Sequence, residues 1–346
     1  MVALERSKNV AISSESAARS SPTNWTKAAF IHLGILPFLL VGAIVFFSLQ
    51  EERFYSSLNI FNVARQSTFL IIIAMGQAVV LLTAGLDLSV GSVVGFAGVV
   101  TALILKSVLG SSPDALLMAM TLAISGGLLA SVVIGLINGL GVAMLNVPPF
   151  MMTLGTTTSL VGVSLSMTSG LPVTQIPDDF QRILGYGRIL GLAPAVLFTG
   201  LIFVAMWVLL NRTTIGRYFY SVGSNIRASQ LSGINTRRQL ILAYVICSVL
   251  AAITGILFLA RTGSAEALNG QPYGLQSVAA CVIAGVSLFG GSGKVRDVLL
   301  GAIFITILTN GMNLIRVESY VQQIVLGAIL VLALVADQLR TRMIAR

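Results

Sequence analysis

The chain has 346 residues, 56% of them hydrophobic and only 10% charged, against about 25% charged in an ordinary soluble domain, which excludes a soluble globular core as the main architecture. The formal net charge of +9 invites comparison with nucleic-acid binders, but the basic residues sit between apolar runs, where they orient a chain in a bilayer. Nucleic acid is therefore not an expected partner, and the two cysteines, Cys247 and Cys281, lie in apolar segments without metal-ligand spacing.

Residues 1–28 are polar and Ser-rich, without the apolar core and small-residue cleavage site of a signal peptide. They are expected to form a cytoplasmic tail ahead of a retained first span. His32, the only histidine, falls in that span and reads as a packed or interfacial residue rather than a proton relay. Reading apolar runs against breaks of Gly, Pro and charge predicts about ten spans. They lie near 29–48, 60–83, 88–106, 115–145, 149–168, 191–210, 239–260, 274–290, 298–315 and 319–337. The expected fold is all-α: a polytopic membrane domain over 29–338 and a basic cytoplasmic tail over 339–346.

Charge placement fixes the expected orientation. With a cytoplasmic N-terminus, the inside segments collect Arg6, Lys8, Arg19, Lys27, Lys294, Arg296, Arg340, Arg342 and Arg346. The segment 211–238 adds Arg212, Arg217, Arg227, Arg237 and Arg238 without a single carboxylate. Arg53, Lys106, Arg182, Arg188, Arg261 and Arg316 fall outside, and Arg65 lies within a span. This bias places both termini in the cytoplasm.

An odd number of spans per half makes the second half enter the membrane in the opposite direction, the arithmetic of an inverted repeat of two five-helix halves. Asn138-Gly139, Val147, Phe150 and Leu154-Gly155 find counterparts in Asn310-Gly311, Val317, Tyr320 and Leu326-Gly327. Ser89-Val90 with Gly98-Val99 resembles Ser277-Val278 with Gly285-Val286 after a one-residue gap.

Asp87, in GLDLSVGS (85–92), is the conspicuous carboxylate among the spans. A charge at the bilayer centre costs about 2.5–3.5 kcal/mol, so a helix start near the interface is expected. There its carboxylate or the Ser89 hydroxyl caps orphan N–H groups, or Asp87 touches a solute directly. Gly85, Gly91 and Gly95 form a face of small residues that admits a close neighbour. Pro148-Pro149 is tolerated at a helix start and not inside one, so a new helix is expected there. Its Thr153, Thr156, Thr157, Thr158 and Ser159 either line a hydrated path or bond to carbonyls one turn back. Asn138, Asn310 and Asn313 are amides in apolar helices and need partners, with interhelical hydrogen bonds expected ahead of solute contacts. Asp87, Ser89, Asn138, Thr153 and Thr156 are the candidate path residues.

GGSGK (290–294) is not a phosphate-binding loop, since Leu288 stands where the first Gly is required and Val295 where Ser or Thr must follow. Without another such motif, any ATP is expected on a different chain, and no cofactor or metal is expected on this one. The segment 211–238, in which Gly216, Gly223 and Gly233 punctuate short helix-forming stretches, is expected to form a short helix at the cytoplasmic surface, or else a solvated basic loop.

Four segments together carry a family resemblance: GLDLSVGS (85–92), NGLGVAMLNVPPFMMTLGT (138–156), TTIGRYFYSVGSNIRASQLSGIN (213–235) and VAACVIAGVSLFGGSG (278–293). The chain resembles the permease subunits of ribose-type bacterial ABC monosaccharide importers over about 60–337. The resemblance implies a multi-pass subunit of the bacterial inner membrane that carries a monosaccharide without catalysis of its own. Implied partners are a second permease copy (identical or related), cytoplasmic ATPase subunits bearing ATP-Mg, and a periplasmic sugar-binding protein. It also implies that Gly223, Asn225, Ala228 and Gly233 belong to the element coupling the permease to the ATPase. Where members often read Tyr-Glu-Leu-Asp-Ala-Ile-Ala-Ala, this chain has Tyr273-Gly274-Leu275-Gln276-Ser277-Val278-Ala279-Ala280, and Ala284-Gly285 replaces the usual Gly-Gly. These departures suggest a divergent substrate or a non-identical permease partner. The rival class is an ion-coupled secondary transporter, which places ionisable residues in its spans; here only Asp87 and Arg65 come near that description.

Overall fold

The structure is a computed structural model and describes residues 36–189 and 191–344. The tail 1–28, the beginning of the first span with His32, and residues 345–346 lie outside the described residues, as do the side chains after Val335. The chain runs through α1 (Leu36–Gln50), α2 (Ser57–Leu82), α3 (Val90–Ser111), α4 (Leu116–Ala143), α5 (Pro149–Thr168) and α6 (Pro194–Arg212). It continues through α7 (Thr214–Ser224), α8 (Ile226–Leu231), α9 (Thr236–Thr262), α10 (Gln271–Ile283), α11 (Val295–Leu314) and α12 (Ser319–Ile344). Among the described residues the only strand-like pairings are two isolated bridges, Val173 with Ala265 and Ile189 with Leu192.

Every expected apolar run contains a helix. Among the described residues seven helices are long and apolar enough to cross a membrane, namely α2 to α6, α9 and α11, with shorter apolar stretches at Leu36–Gln50 and at Ser319–Val335 of α12. The protein is thus an all-α, polytopic membrane protein. A helix apolar on all faces belongs in the middle of a bundle, and α2 meets that condition, with every residue from Ser67 to Leu82 buried. It packs against α9 and α11, while α9 also packs on α3 and α4. By contrast α4, α5 and α6 expose rows of apolar side chains such as Leu129, Val133, Phe150, Leu154, Leu201 and Val204, as a lipid-facing surface does.

The expected continuous span over 274–290 is corrected by the structure: α10 ends at Ile283. Its 13 residues rise about 20 Å, short of the roughly 30 Å hydrocarbon layer. The cause is local. Gly285 adopts φ +80° and the chain closes the helix with Val286 N donating to Cys281 O (2.9 Å) and Gly285 N to Val282 O (2.8 Å), the paired bonds of a Schellman end. The same device ends α2, where Gly85 N donates to Val80 O (3.0 Å) and Ala84 N to Leu81 O (2.9 Å). Here the left-handed position is taken by Ala84, at φ +59°, a conformation disfavoured for a residue with a Cβ.

The segment between α5 and α6 crosses the end of the bundle opposite α7 and α8. It is anchored by the backbone pair Val173 N to Ala265 O (2.9 Å) and Ala265 N to Val173 O (3.0 Å), and by Phe180, which is fully buried.

Candidate functional site

After α2 ends, residues 83–89 fold back along it rather than leaving the bundle. The Gln77 side-chain amide meets the Asp87 backbone, its nitrogen donating to Asp87 O (2.9 Å) and its oxygen accepting from Asp87 N (3.3 Å) in the orientation that satisfies both. Asp87 does stand just before a helix start, but its side chain is completely enclosed by protein because of this fold-back. Its Oδ1 accepts from Ser89 N (2.8 Å) and Ser89 Oγ (2.5 Å). The carboxylate therefore supplies the capping contact, and the Ser89 hydroxyl makes none to the α3 backbone.

The five candidate path residues converge on one network. Asn138 Nδ2 on α4 donates to Ser89 Oγ (2.9 Å), and Asn138 Oδ1 accepts from Thr156 Oγ1 on α5 (2.6 Å). Leu88 N donates to Thr153 Oγ1 (3.2 Å). Asp87, Ser89, Asn138 and Thr153 are all wholly buried, while Thr156 is half-buried. Together with the Gln77 contact, the network ties the broken segment 83–89 to α2, α4 and α5. Thr156, Thr157 and Thr158 also donate to carbonyls one turn back, so on this helix the hydroxyls serve the backbone and the neighbours together. Asn310 pairs reciprocally with Asn59 on α2 (3.0 and 3.1 Å), and Asn313 accepts from Gln322 on α12 (2.8 Å). All three amides thus make the interhelical bonds expected of them.

Gly91 and Gly95 admit a close neighbour, though not a helix: the connection before α10 lies against them. A Cβ on Gly91 would stand 2.6 Å from Gly270 O, and one on Gly95 would collide with Ala267 O. The start of α10 is thereby held against α3 and the break preceding it.

Beside that junction lies a cavity of about 300 Å³, lined by Gln66, Phe69 and Leu70 of α2, Phe258, Arg261 and Thr262 of α9, Tyr273 and Gln276 of α10, and Thr306 and Thr309 of α11. Its volume is at the lower end of the roughly 300–1,000 Å³ typical of small-molecule sites. Two aromatic rings meet edge to face, Phe69 and Phe258 at 5.5 Å, and the Arg261 guanidinium lies over Phe69 at 5.4 Å. Aromatic faces, amides and hydroxyls in one small cleft suit a polyhydroxylated solute, whose C–H faces stack and whose hydroxyls need partners. Thr262 is exposed, so the cavity communicates with the surface. Below it, α2 is buried continuously from Ile71 to Leu82.

Sequence reasoning did not find this cavity. Arg261 and the stretch from Tyr273 to Gln276 stood out for charge placement and for departure from the family pattern, but nothing linked them to Gln66 or Thr309. Four helices contribute to the cavity from distant parts of the chain.

The opposite end of α2, about 24 Å from Gln66 at 1.5 Å per residue, meets the basic segment 211–238. The expected short helix is present as two, α7 and α8. Gly223 is packed inward against Leu82 O, where a Cβ would collide, and that Cβ would also stand 2.7 Å from Gly291 N. Gly291 N itself donates to Leu82 O (3.0 Å), and Tyr220 donates from its phenol to Gly293 O (2.9 Å). Burial raises the Tyr220 pKa above its ordinary value, so the donor proton is retained at neutral pH. Asn225 caps α8, its Oδ1 accepting from Ala228 N (2.9 Å). Asn225, Ala228 and Gly233 are exposed, beside exposed Ile226, Arg227 and Leu231. Among the described residues no group of three His, Cys, Asp or Glu side chains is placed to hold a metal.

Comparison with known proteins places this geometry in a family. Residues 59–334 match the family described as branched-chain amino acid transport system / permease component. The chain is 38% identical over 317 residues to the ribose import permease protein of Escherichia coli, covering 90% of this chain and 95% of that one. It is 35% identical over 335 residues to the galactose/methyl galactoside import permease protein of Salmonella typhimurium, covering 93% and 97%. Identity to the D-allose transport system permease protein of Escherichia coli is 32% over 301 residues, covering 87% and 90%. No solved structure matches. With nearly the whole membrane domain inside that match, the chain belongs to this family of transport-system permeases, in its ribose-type branch.

Proposed function

We propose that the chain is the membrane-spanning permease subunit of an ATP-binding-cassette importer that moves a monosaccharide across the bacterial inner membrane. The observation that carries this reading is the cavity between α2, α9, α10 and α11, aromatic and polar at once, set at the far end of α2 from the exposed basic segment. The cavity faces the periplasm, where a binding protein delivers sugar; the basic segment faces the cytoplasm, where ATPase subunits hold ATP-Mg. The chain makes ten crossings in two inverted halves with both termini inside, the one that contains the short α10 being completed by the non-helical stretch before α11, and the membrane domain spans 29–338. The protein works with a second permease, either identical or related.

In this scheme Asn225, Ala228 and Gly233 present the coupling surface, and Gly223 transmits its movement. Because Gly223 and Gly291 both abut Leu82 O, displacement of α7 bears directly on the end of α2 and on the break after it. The network of Asp87, Ser89, Asn138, Thr153 and Thr156 holds that break in one arrangement. When the halves rock, the seal below the cavity opens toward the cytoplasm.

Proteoliposomes holding the complete importer, supplied with binding protein on one face and ATP on the other, test the reading. Sugar uptake is expected only with ATP. Uptake that persists without ATP and collapses with an uncoupler would instead identify an ion-coupled secondary transporter.

A further inference from the structure

We propose that the cavity selects a monosaccharide bearing a carboxylate, bound by Arg261 and attracted by Arg65. This rests on the reading of the chain as a sugar permease.

The cavity lining includes a cation and no anion. The Arg261 guanidinium is held over the Phe69 ring at 5.4 Å, a placement that steadies the group and leaves its N–H edge available. Arg65 lies four residues before Phe69 on α2, hence on the same face and one turn nearer the open end. Its Nη2 donates to Asn62 Oδ1 (2.9 Å), while its Nε is buried and has no hydrogen-bond partner among the described residues. The ion pairs among the described residues, Arg53 with Glu51 and Arg296 with Asp297, involve neither of these arginines.

Two guanidinium groups flanking a half-closed cleft without an ion-pair partner among the described residues are costly, because partial burial removes water without supplying counter-charge. A neutral sugar would leave that cost in place and remove more water. A carboxylate offsets it, matching a planar guanidinium edge with two charge-assisted hydrogen bonds. One carboxylate on a pyranose ring fits the remaining chemistry: the rings of Phe69 and Phe258 face the C–H surface, and Gln66, Gln276, Thr306 and Thr309 meet the hydroxyls.

The test compares uptake of radiolabelled D-galacturonate and D-glucuronate with that of D-galactose and D-glucose, using the complete importer in proteoliposomes with one unchanged binding protein. At least one uronate is expected to be carried, and Arg261→Gln is expected to lower its uptake tenfold or more, with Arg261→Lys recovering part of the loss. Gln276→Glu, which supplies an internal counter-charge to the cavity, is expected to lower uronate uptake severalfold. Elution as a single assembled complex, together with ATP hydrolysis stimulated by the binding protein, separates a lost solute contact from a misfolded variant. Uptake of the neutral sugars but of neither uronate overturns the inference and leaves the permease reading intact, as does uronate uptake indifferent to Arg261→Gln. ATP-dependent uptake of none of the four also overturns the inference, whereas the permease reading falls only to uptake that needs no ATP.

Discussion

Asn138 on α4 reaches Ser89 Oγ at 2.9 Å, and through that one contact a helix joins the broken segment that carries Asp87. The same amide accepts from Thr156 on α5 at 2.6 Å, so a single side chain holds both neighbours. Replacing Asn138 by Ala removes both bonds, but Ser89 Oγ keeps its bond to Asp87 and Thr156 Oγ1 its bond to the carbonyl one turn back, so each lost bond costs about 0.5–1.5 kcal/mol. Asn138→Ala is expected to lower the thermal midpoint in detergent and reduce transport, whereas Asn138→Gln should be intermediate. An unchanged midpoint and full transport would remove the network from the mechanism.

Gly223 carries a sharper prediction because its neighbours are backbone atoms that cannot swing aside. Gly223→Ala drives a methyl into Leu82 O, so α7 must separate from the end of α2. Uptake is expected to fall at least tenfold while the ATPase subunits still hydrolyse ATP, which distinguishes uncoupling from loss of assembly. Tyr220→Phe removes only the bond to Gly293 O and should cost about 0.5–1.5 kcal/mol, a smaller effect in the same direction. Equal coupling in wild type and Gly223→Ala would contradict the proposed transmission.

Ala84 predicts a gain rather than a loss. Held at φ +59°, it has a Cβ where glycine has none, and the left-handed strain of about 1–2 kcal/mol exceeds the roughly 0.4–1 kcal/mol that glycine forfeits through its freer unfolded chain. Ala84→Gly is expected to raise the thermal midpoint slightly. A lower midpoint would mean that the Cβ contact with the 290–291 turn outweighs the backbone strain.

Orientation is open to direct labelling. Thr174 and Ser232 are both exposed and lie at opposite ends of the bundle, and the native Cys247 and Cys281 are buried. In intact spheroplasts a membrane-impermeant maleimide is expected to modify Thr174→Cys and spare Ser232→Cys. The reverse pattern would invert the proposed topology.

Asn225 offers a local test of the exposed segment. Removing the cap with Asn225→Ala should cost about 0.5–2 kcal/mol of helix stability, visible as faster amide exchange confined to α8. Exchange unchanged there would show that α8 is held by other contacts.

The sequence by itself determined the membrane character, the placement of the helices and the family. Run length and low charge leave a segment such as α2 or α9 nowhere to go except into a bundle within lipid, and local rules of this kind are readable residue by residue. Pro148-Pro149 marked the start of α5, and the glycines of 211–238 marked short helical stretches, for the same reason. The closure of α10 at Ile283 was less legible, because an apolar run continues past the point where Gly285 turns the backbone. Only the tertiary structure decided that Asp87, Asn138 and Thr156 share one buried network and that Gly223 rests on Leu82. It also decided that Gln66, Arg261, Gln276 and Thr309 line one cavity. Those meetings depend on which faces of separate helices come together, and helix crossing is set by close packing of small and large side chains far apart in the chain. A pattern along the chain records which residues lie on one face of a helix; it does not record what stands opposite.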